Sequence, residues 1–539
     1  MNDEMKAKIH TFLLEPDTYW QLEDKANKAT DKPQKKAEKK IKSAVEFKET
    51  HISLVYLTKN FVYKMKKDAC YDFLDFSTYE KRLAACQDEL FLNKRLAPDT
   101  YLQIVFITIN TSGELEINGA GKKIEPVIMM KRLPAHLMLD QLISSDKLTV
   151  AQLQQLSSFL SDFYMAQHPI LEDADAYLTY IHNHVEQNRT VLLDNAAPHI
   201  RDKIRAAHSA QLMFLDLEED QLRQRVENGH IIHGHGDLRP EHICLQPSMP
   251  VIFDCIEFNR EFATLDVLDE LSFLAVECEH MGNEECGNYI LHAYKERSHD
   301  FPKDPRLAEF YKSYRASVRA KIAAIRYHQT KDFAVAKHQA ELVDHYCNIA
   351  YRHACRLQGK WVFVIGGGMG TGKSTLAEAI AKRYGAELLQ TDAIRKELFS
   401  ENSEKNFFGE GLYTQENRQS VYQELIRRLD DLLDRGLTVV LDGSFLSETI
   451  RHQVEQTVEK YTAHYRLIWC HCDNQISKER ISKRLASGKS LSEARPELVE
   501  NLLQEGTIPI GPDILAIETS NSLAKELAEI KAGLMLRKS

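Results

Sequence analysis

The chain has 539 residues, 43% hydrophobic and 27% charged, with a formal net charge of −10 at pH 7. At about 100 to 200 residues per domain this exceeds one hydrophobic core, and the composition is that of a soluble globular protein of two domains. No stretch approaches the roughly 18 apolar residues of a membrane span, and the acidic balance gives no global drive towards nucleic acid, leaving only a local basic groove as a route to it.

The amino terminus lacks the pattern of a secretory signal. The ten cysteines are scattered without a CxxC pair, against a disulfide framework or a structural zinc site, so a reducing, cytoplasmic setting is expected, with no membrane partner. Residues 25–48 are strongly basic; a solvated helix face or a connection is favoured over a partner-binding patch. From about residue 49, THISLVYLTKNFVYKMKK predicts a hairpin whose second strand carries Val62, Tyr63 and Lys64. STYEKRLAACQDELFLNKRL reads as a helix, and YLQIVFITI and EPVIMMKRL as further strands. A capping box, Thr149 to Gln152, opens a helix with Leu153, Leu156, Leu160 and Phe163 on one face. Mainly helical sequence follows to about Gly359.

That helical stretch is interrupted by HGHGDLRPEHICL, residues 233–245, and PVIFD, residues 250–254. HICL and VIFD flank the turn-forming QPSMP, so they should pair as a hairpin that brings His242 and Asp254 to one open end, with Asp237 on the loop feeding it. On these residues the segment from about 49 to 350 resembles the aminoglycoside phosphotransferase family, whose fold is that of the protein kinases. The resemblance implies Asp237 as catalytic base, Asp254 as principal Mg²⁺ ligand, Lys64, favoured over Lys66 on the same strand face, holding the nucleotide phosphates, Glu89 as its acidic partner, and residues 130–133 beside the adenine. His242 stands where that family has Asn. It is read two ways, as a metal ligand or as a histidine satisfied by local hydrogen bonds. Three consequences stay open: one metal suffices, Mn²⁺ substitutes, or this half is a regulatory module. Asp266 and Asp269 are read as braces of the catalytic loop or as helix-start caps. Arg315 and Arg319, one turn apart, are read first as a solvated face.

After Gly359 the rhythm becomes alternating strand and helix: WVFVI, a helix from Ser374 to Tyr384 stopped by Gly385, then ELLQT, LTVVLD, YRLIWCHC and ILAIET. Five such strands predict a parallel sheet covered on both faces, with the domain boundary near Gln358. Residues 367–374, GGMGTGKS, match GxxxxGK[ST] between a strand and a helix. Backbone N–H groups of Gly367, Gly368, Met369, Gly370, Thr371 and Gly372, with Thr375 beyond, should cradle phosphates, with Lys373 reaching the β and γ oxygens and Ser374 on Mg²⁺. Asp392 at the next strand end is placed to accept a hydroxyl proton, Arg395 to hold an anionic group, and Asp442 to complete the metal shell. Arg480 and Arg484 share a helix face from which they could close over the transferring phosphate. Residues 359–539 resemble the P-loop kinase superfamily, including gluconate kinase, polynucleotide 5′-kinase and the zeta toxins.

The expectation is therefore an α+β protein-kinase-like bilobal domain, residues 1–358, followed by an α/β P-loop NTPase domain, residues 359–539. Its cofactors are ATP, with GTP as the alternative at the P-loop, and Mg²⁺ or Mn²⁺. Its partner is a small molecule bearing a hydroxyl, with a nucleic-acid end as the less favoured acceptor; oligomeric state is left open.

Overall fold

A computed structural model describes residues 2–19, 22–23, 44–71, 74–170, 173–357, 359–399, 414–487, 509, 511 and 514–535, without the side chains of 484–487. Most of the basic segment 25–48 lies outside the described residues. The chain divides into two compact units, one made of residues 1–171 and 228–301, the other of 172–227 and 302–539.

The first unit is built on a six-stranded antiparallel sheet with spatial order Glu46–Glu49, Ser53–Leu57, Phe61–Lys66, Lys122–Lys131, Tyr101–Ile109, Leu115–Ile117. The expected hairpin pairs Ser53–Leu57 with Phe61–Lys66. The latter lies inside the sheet and is almost wholly buried, which is why its lysines need internal partners. Helix Tyr79–Asn93 starts at Thr78, whose side chain accepts the Lys81 N–H, and buries Arg82, Ala85, Cys86, Glu89 and Asn93 at helical spacing. Helix Val150–Met165 opens with the predicted capping box and buries Leu156 and Leu160. The hairpin of Ile243–Leu245 and Pro250–Ile252 forms as expected.

In the second unit, helices that include Arg201–Leu217, Leu307–Gln329 and Phe333–Cys355 accompany a five-stranded sheet. Its order is Glu387–Gln390, Val439–Asp442, Trp361–Gly367, His464–His471, Ile514–Glu518, and all pairs are parallel. Trp361, Phe363 and Ile365 enter one core with Leu376, Ile380, Met213 and Leu217; Val362 and Val364 enter another with Leu425, Leu429 and Val454. This alternation is what a sheet covered on both faces requires. The first strand is central and the chain goes to either side of it, so the carboxyl ends of the strands form the crevice where ligands bind in open α/β sheets. The predicted change to strand–helix rhythm begins at Trp361, but the compact units divide elsewhere, because helices 172–227 and 302–357 pack with the parallel sheet's unit. Arg315 and Arg319 lie over the rings of Tyr314 and Tyr346, at 5.5 and 5.3 Å. Among the described residues no helix is long and apolar enough to cross a membrane.

Candidate functional sites

In the first unit, strand Phe61–Lys66 and helix Tyr79–Asn93 bring Lys64 to Glu89, Nζ to Oε1 at 2.8 Å, and Lys64 is also ion-paired with Asp254. Burial works against the Lys64 charge, but Asp254 and Glu89 outweigh it and hold its pKa well above the ordinary value. Burial likewise opposes ionisation of Asp254, and the Lys64 charge reverses this, holding its carboxyl far below the usual range. Asp254 sits in the left-handed backbone region, φ 67°, where a non-glycine residue persists only if its surroundings hold it. Those restraints include the Phe253 N–H on the His242 carbonyl at 3.0 Å and the Cys255 N–H on Asn93 Oδ1 at 2.9 Å. Tyr101 donates to Glu89 at 3.3 Å and accepts from the Asp254 N–H at 3.3 Å.

Asp237, His242 and Asp254 converge as expected. His242 Nε2 is 3.6 Å from Asp254 Oδ2, and Nδ1 is 3.8 Å from Asp237 Oδ2. Nδ1 lies 2.9 Å from the Asp237 carbonyl, which can only accept, so Nδ1 carries the proton. Nε2 then accepts from Arg239 Nη2 at 3.2 Å. The same guanidinium donates from Nε to Asp237 Oδ2 at 3.1 Å. Arg239 therefore occupies both the imidazole lone pair and a carboxylate oxygen of Asp237, and sequence reasoning passed over it. Asp254 fits one hard cation through its carboxylate; His242, with its lone pair engaged, does not fit a second. Among the described residues no cluster of three or more His, Cys, Asp or Glu side chains forms a metal site.

The loop is braced by Glu270, which accepts the N–H of His235 at 2.8 Å and that of Gly236, and is itself held by the Tyr164 hydroxyl at 2.8 Å. A Cβ on Gly234 would fall 2.3 Å from the Glu270 carboxylate. Asp266, one of two residues read as braces, caps its helix by accepting the Leu268 N–H at 2.8 Å. His235, which had no assigned role, links loop to hairpin through Nε2 and the Phe253 carbonyl at 2.8 Å.

In the second unit, strand Trp361–Gly367 runs into the glycine-rich turn and helix Lys373–Tyr384. Gly370 and Gly372 have φ 73° and 84°, the left-handed backbone that favours glycine, in the turn that opens this helix. Lys373 lies over the loop on the Gly368 carbonyl, which also accepts from Thr371 Oγ1 at 2.9 Å. Asp442, buried at the end of its strand, has its pKa raised by burial, against hydrogen bonds from Ser374 and Gln390. The Ser374 hydroxyl and Asp442 carboxylate fit one Mg²⁺. Asp392, in the first turn of helix Thr391–Phe399, is ion-paired with Arg395. Beside them Tyr422 bonds Ser444 Oγ and the Phe445 N–H, each at 3.1 Å. Arg480 reaches the loop: its Nη2 donates to the Thr519 carbonyl at 2.6 Å, and Thr519 Oγ1 donates to the Thr371 carbonyl at 2.6 Å. The Arg484 side chain lies outside the described residues. Tyr422, Ser444 and Thr519 carried no sequence signal, because their roles depend on strands and helices distant in the chain.

Fold and turn together define the part of the second unit from Trp361 onward as a P-loop nucleotide-binding domain, and the family model described as an AAA domain matches residues 362–506. The "Uncharacterized protein Rv2004c" of Mycobacterium tuberculosis (strain ATCC 25618 / H37Rv) is 32% identical over 406 residues, 74% of this chain and 78% of that one. The chain belongs to the same family as this mycobacterial protein. Among solved structures, a gluconokinase from Sinorhizobium meliloti 1021 is 23% identical over 33% of this chain and 91% of its own, with TM-score 0.25. A choline/ethanolamine kinase family protein from Mesorhizobium loti is 12% identical over 61% of this chain and 99% of its own, with TM-score 0.34.

Proposed function

We propose that the chain is an ATP-dependent phosphotransferase with two kinase-type modules, residues 1–358 and 359–539, and that it transfers the γ-phosphate to a hydroxyl of a small molecule. The observation that carries this is the glycine turn ahead of helix Lys373–Tyr384, with Ser374 on Asp442 and the Asp392–Arg395 pair at the neighbouring strand end. In this site the loop amides and Lys373 hold the phosphates, Asp392 takes the acceptor's proton, and Arg395 and Arg480 face the transferring group, with Arg484 on the same helix. Ser374 and Asp442 would hold Mg²⁺, which neutralises charge on the β and γ oxygens. In the other module Lys64 holds phosphates, Asp254 the cation, and Asp237 serves as base once Arg239 releases it.

A second reading has the P-loop module alone catalysing transfer while the first module senses nucleotide or ligand. The observation in its favour is Arg239, bonded to both Asp237 and His242. Purified protein is incubated with γ-labelled ATP and a cell extract of metabolites and RNA, in parallel with Asp237→Ala, Asp392→Ala and Lys373→Ala. The expected result is a labelled small molecule whose yield drops at least about 100-fold in Lys373→Ala or Asp392→Ala. Label carried by RNA ends instead would support a polynucleotide kinase. Asp237→Ala with unchanged products favours the sensor reading, and label in no species under any condition rules out transfer.

A further inference from the structure

Lys66, the second buried lysine on the Lys64 strand, has a carboxylate of its own. Its fully buried ammonium is ion-paired with Glu89 and with Glu257, whose side chains are 0% and 3% exposed. Glu89 divides its oxygens, Oε1 hydrogen-bonded to Lys64 at 2.8 Å and Oε2 facing Lys66 by charge. The result is a ladder of alternating charge, Asp254, Lys64, Glu89, Lys66, Glu257. Its two ends lie three residues apart on one loop segment, and its middle, Glu89, belongs to helix Tyr79–Asn93.

Stability does not account for the outer rung. A buried ion pair gives up hydration that its mutual attraction barely recovers, and apolar side chains of similar volume commonly serve as well or better. The rung does something an apolar pair cannot. It fixes the direction of the Glu89 carboxylate and tethers the segment that must keep Asp254 in its left-handed conformation. The geometry points to Lys66 and Glu257 as positioning residues of a nucleotide site at Lys64 and Asp254: they hold the ammonium and the cation-binding carboxylate in place before nucleotide arrives. This rests on the reading that Lys64 and Asp254 bind ATP.

The test uses the full chain carrying Lys373→Ala, so that calorimetric ATP binding reports the first site, with and without Mg²⁺. In the double variant Lys66→Met/Glu257→Leu the expected result is a cooperative thermal transition within a few degrees of the parent. ATP affinity in Mg²⁺ should be roughly tenfold weaker, and Mg²⁺-free affinity should change less. Lys66→Arg should keep most of the affinity. Glu257→Gln, which alters a single atom, should weaken binding in the same direction and serves as the measure if the double variant does not fold. Unchanged Mg²⁺-ATP affinity in the double variant, or in Glu257→Gln if that is the measure, while Lys64→Ala abolishes binding, overturns the inference. So does a lower melting temperature with unaltered affinity of the folded protein, the mark of a purely structural pair. If Lys64→Ala leaves the calorimetric signal intact, or the Lys373→Ala parent binds no ATP, the underlying reading of the site falls instead.

Discussion

Glu309 and His353 show how single residues set the chain's response to acid. Glu309 stands in the first turn of helix Leu307–Gln329 and His353 in the last turn of Phe333–Cys355, each at the end where its charge suits the helix dipole. His353 Nδ1 is 2.7 Å from Glu309 Oε2, and the imidazole is fully buried. Burial raises the carboxyl's pKa, but His353, Lys312 and Arg356 outweigh it and bring it down from 4.5 to about 2. A folded pKa below the unfolded one gives stability that is complete above about 4.5 and lost as pH falls towards 2. The amount is on the order of 3 kcal/mol. Urea unfolding at pH 5 and pH 3 should therefore show a smaller drop in Glu309→Gln than in the parent; equal drops would remove Glu309 as a cause. At this scale the sequence was informative about placement, where chemistry needs fixed spacing, as at residues 367–374, and where a resemblance grouped residues distant in the chain, as at Lys64, Glu89, Asp237 and Asp254. It was silent on Glu257, Glu270, Arg239 and Tyr101, since their partners lie on other elements and no local pattern marks a carboxylate that will face a buried lysine.

Among the elements, periodicity and turn chemistry carried most of the information. The parallel strands were legible because both faces are apolar, the capping box because its two ends are four residues of sequence, and the hairpins because polar turns separate short apolar runs. What a surface of helix Arg201–Leu217 meets was not legible. Its Asp216, 10% exposed, pairs with Arg383, accepts from the Tyr384 hydroxyl at 2.7 Å and lies 3.5 Å from Lys531. One carboxylate thus joins this helix to the helix that follows the P-loop and to helix Leu523–Met535. Asp216→Ala leaves the guanidinium and the buried phenol without that acceptor, at a cost of about 2 kcal/mol. Trp361 and Trp469 both lie in the parallel sheet, so their fluorescence reports the transition, and an unshifted urea midpoint would show the hub to be dispensable.

For the whole molecule, the consequence is that the P-loop sheet belongs to a unit assembled from separated pieces of chain. A boundary near Gln358 separates two kinds of sequence pattern, but packing follows a different division. Met213 and Leu217, 1% and 2% exposed, share a core with Phe363, Leu376, Tyr384 and Leu534. Removing that cover loses the burial of two large apolar side chains, about 1.5–3 kcal/mol each, and exposes the surface beneath them, against a total stability of only about 5–15 kcal/mol for a domain. Residues 359–539 produced alone should melt well below the full chain's corresponding transition and bind an apolar dye. Extending the fragment to residues 302–539 should not cure this, because the missing cover comes from Arg201–Leu217 and not from the helices just before the sheet. A fragment of residues 359–539 that unfolds cooperatively at the full chain's temperature without dye binding would show the sheet to be self-sufficient, and helix Arg201–Leu217 to be an accessory to it.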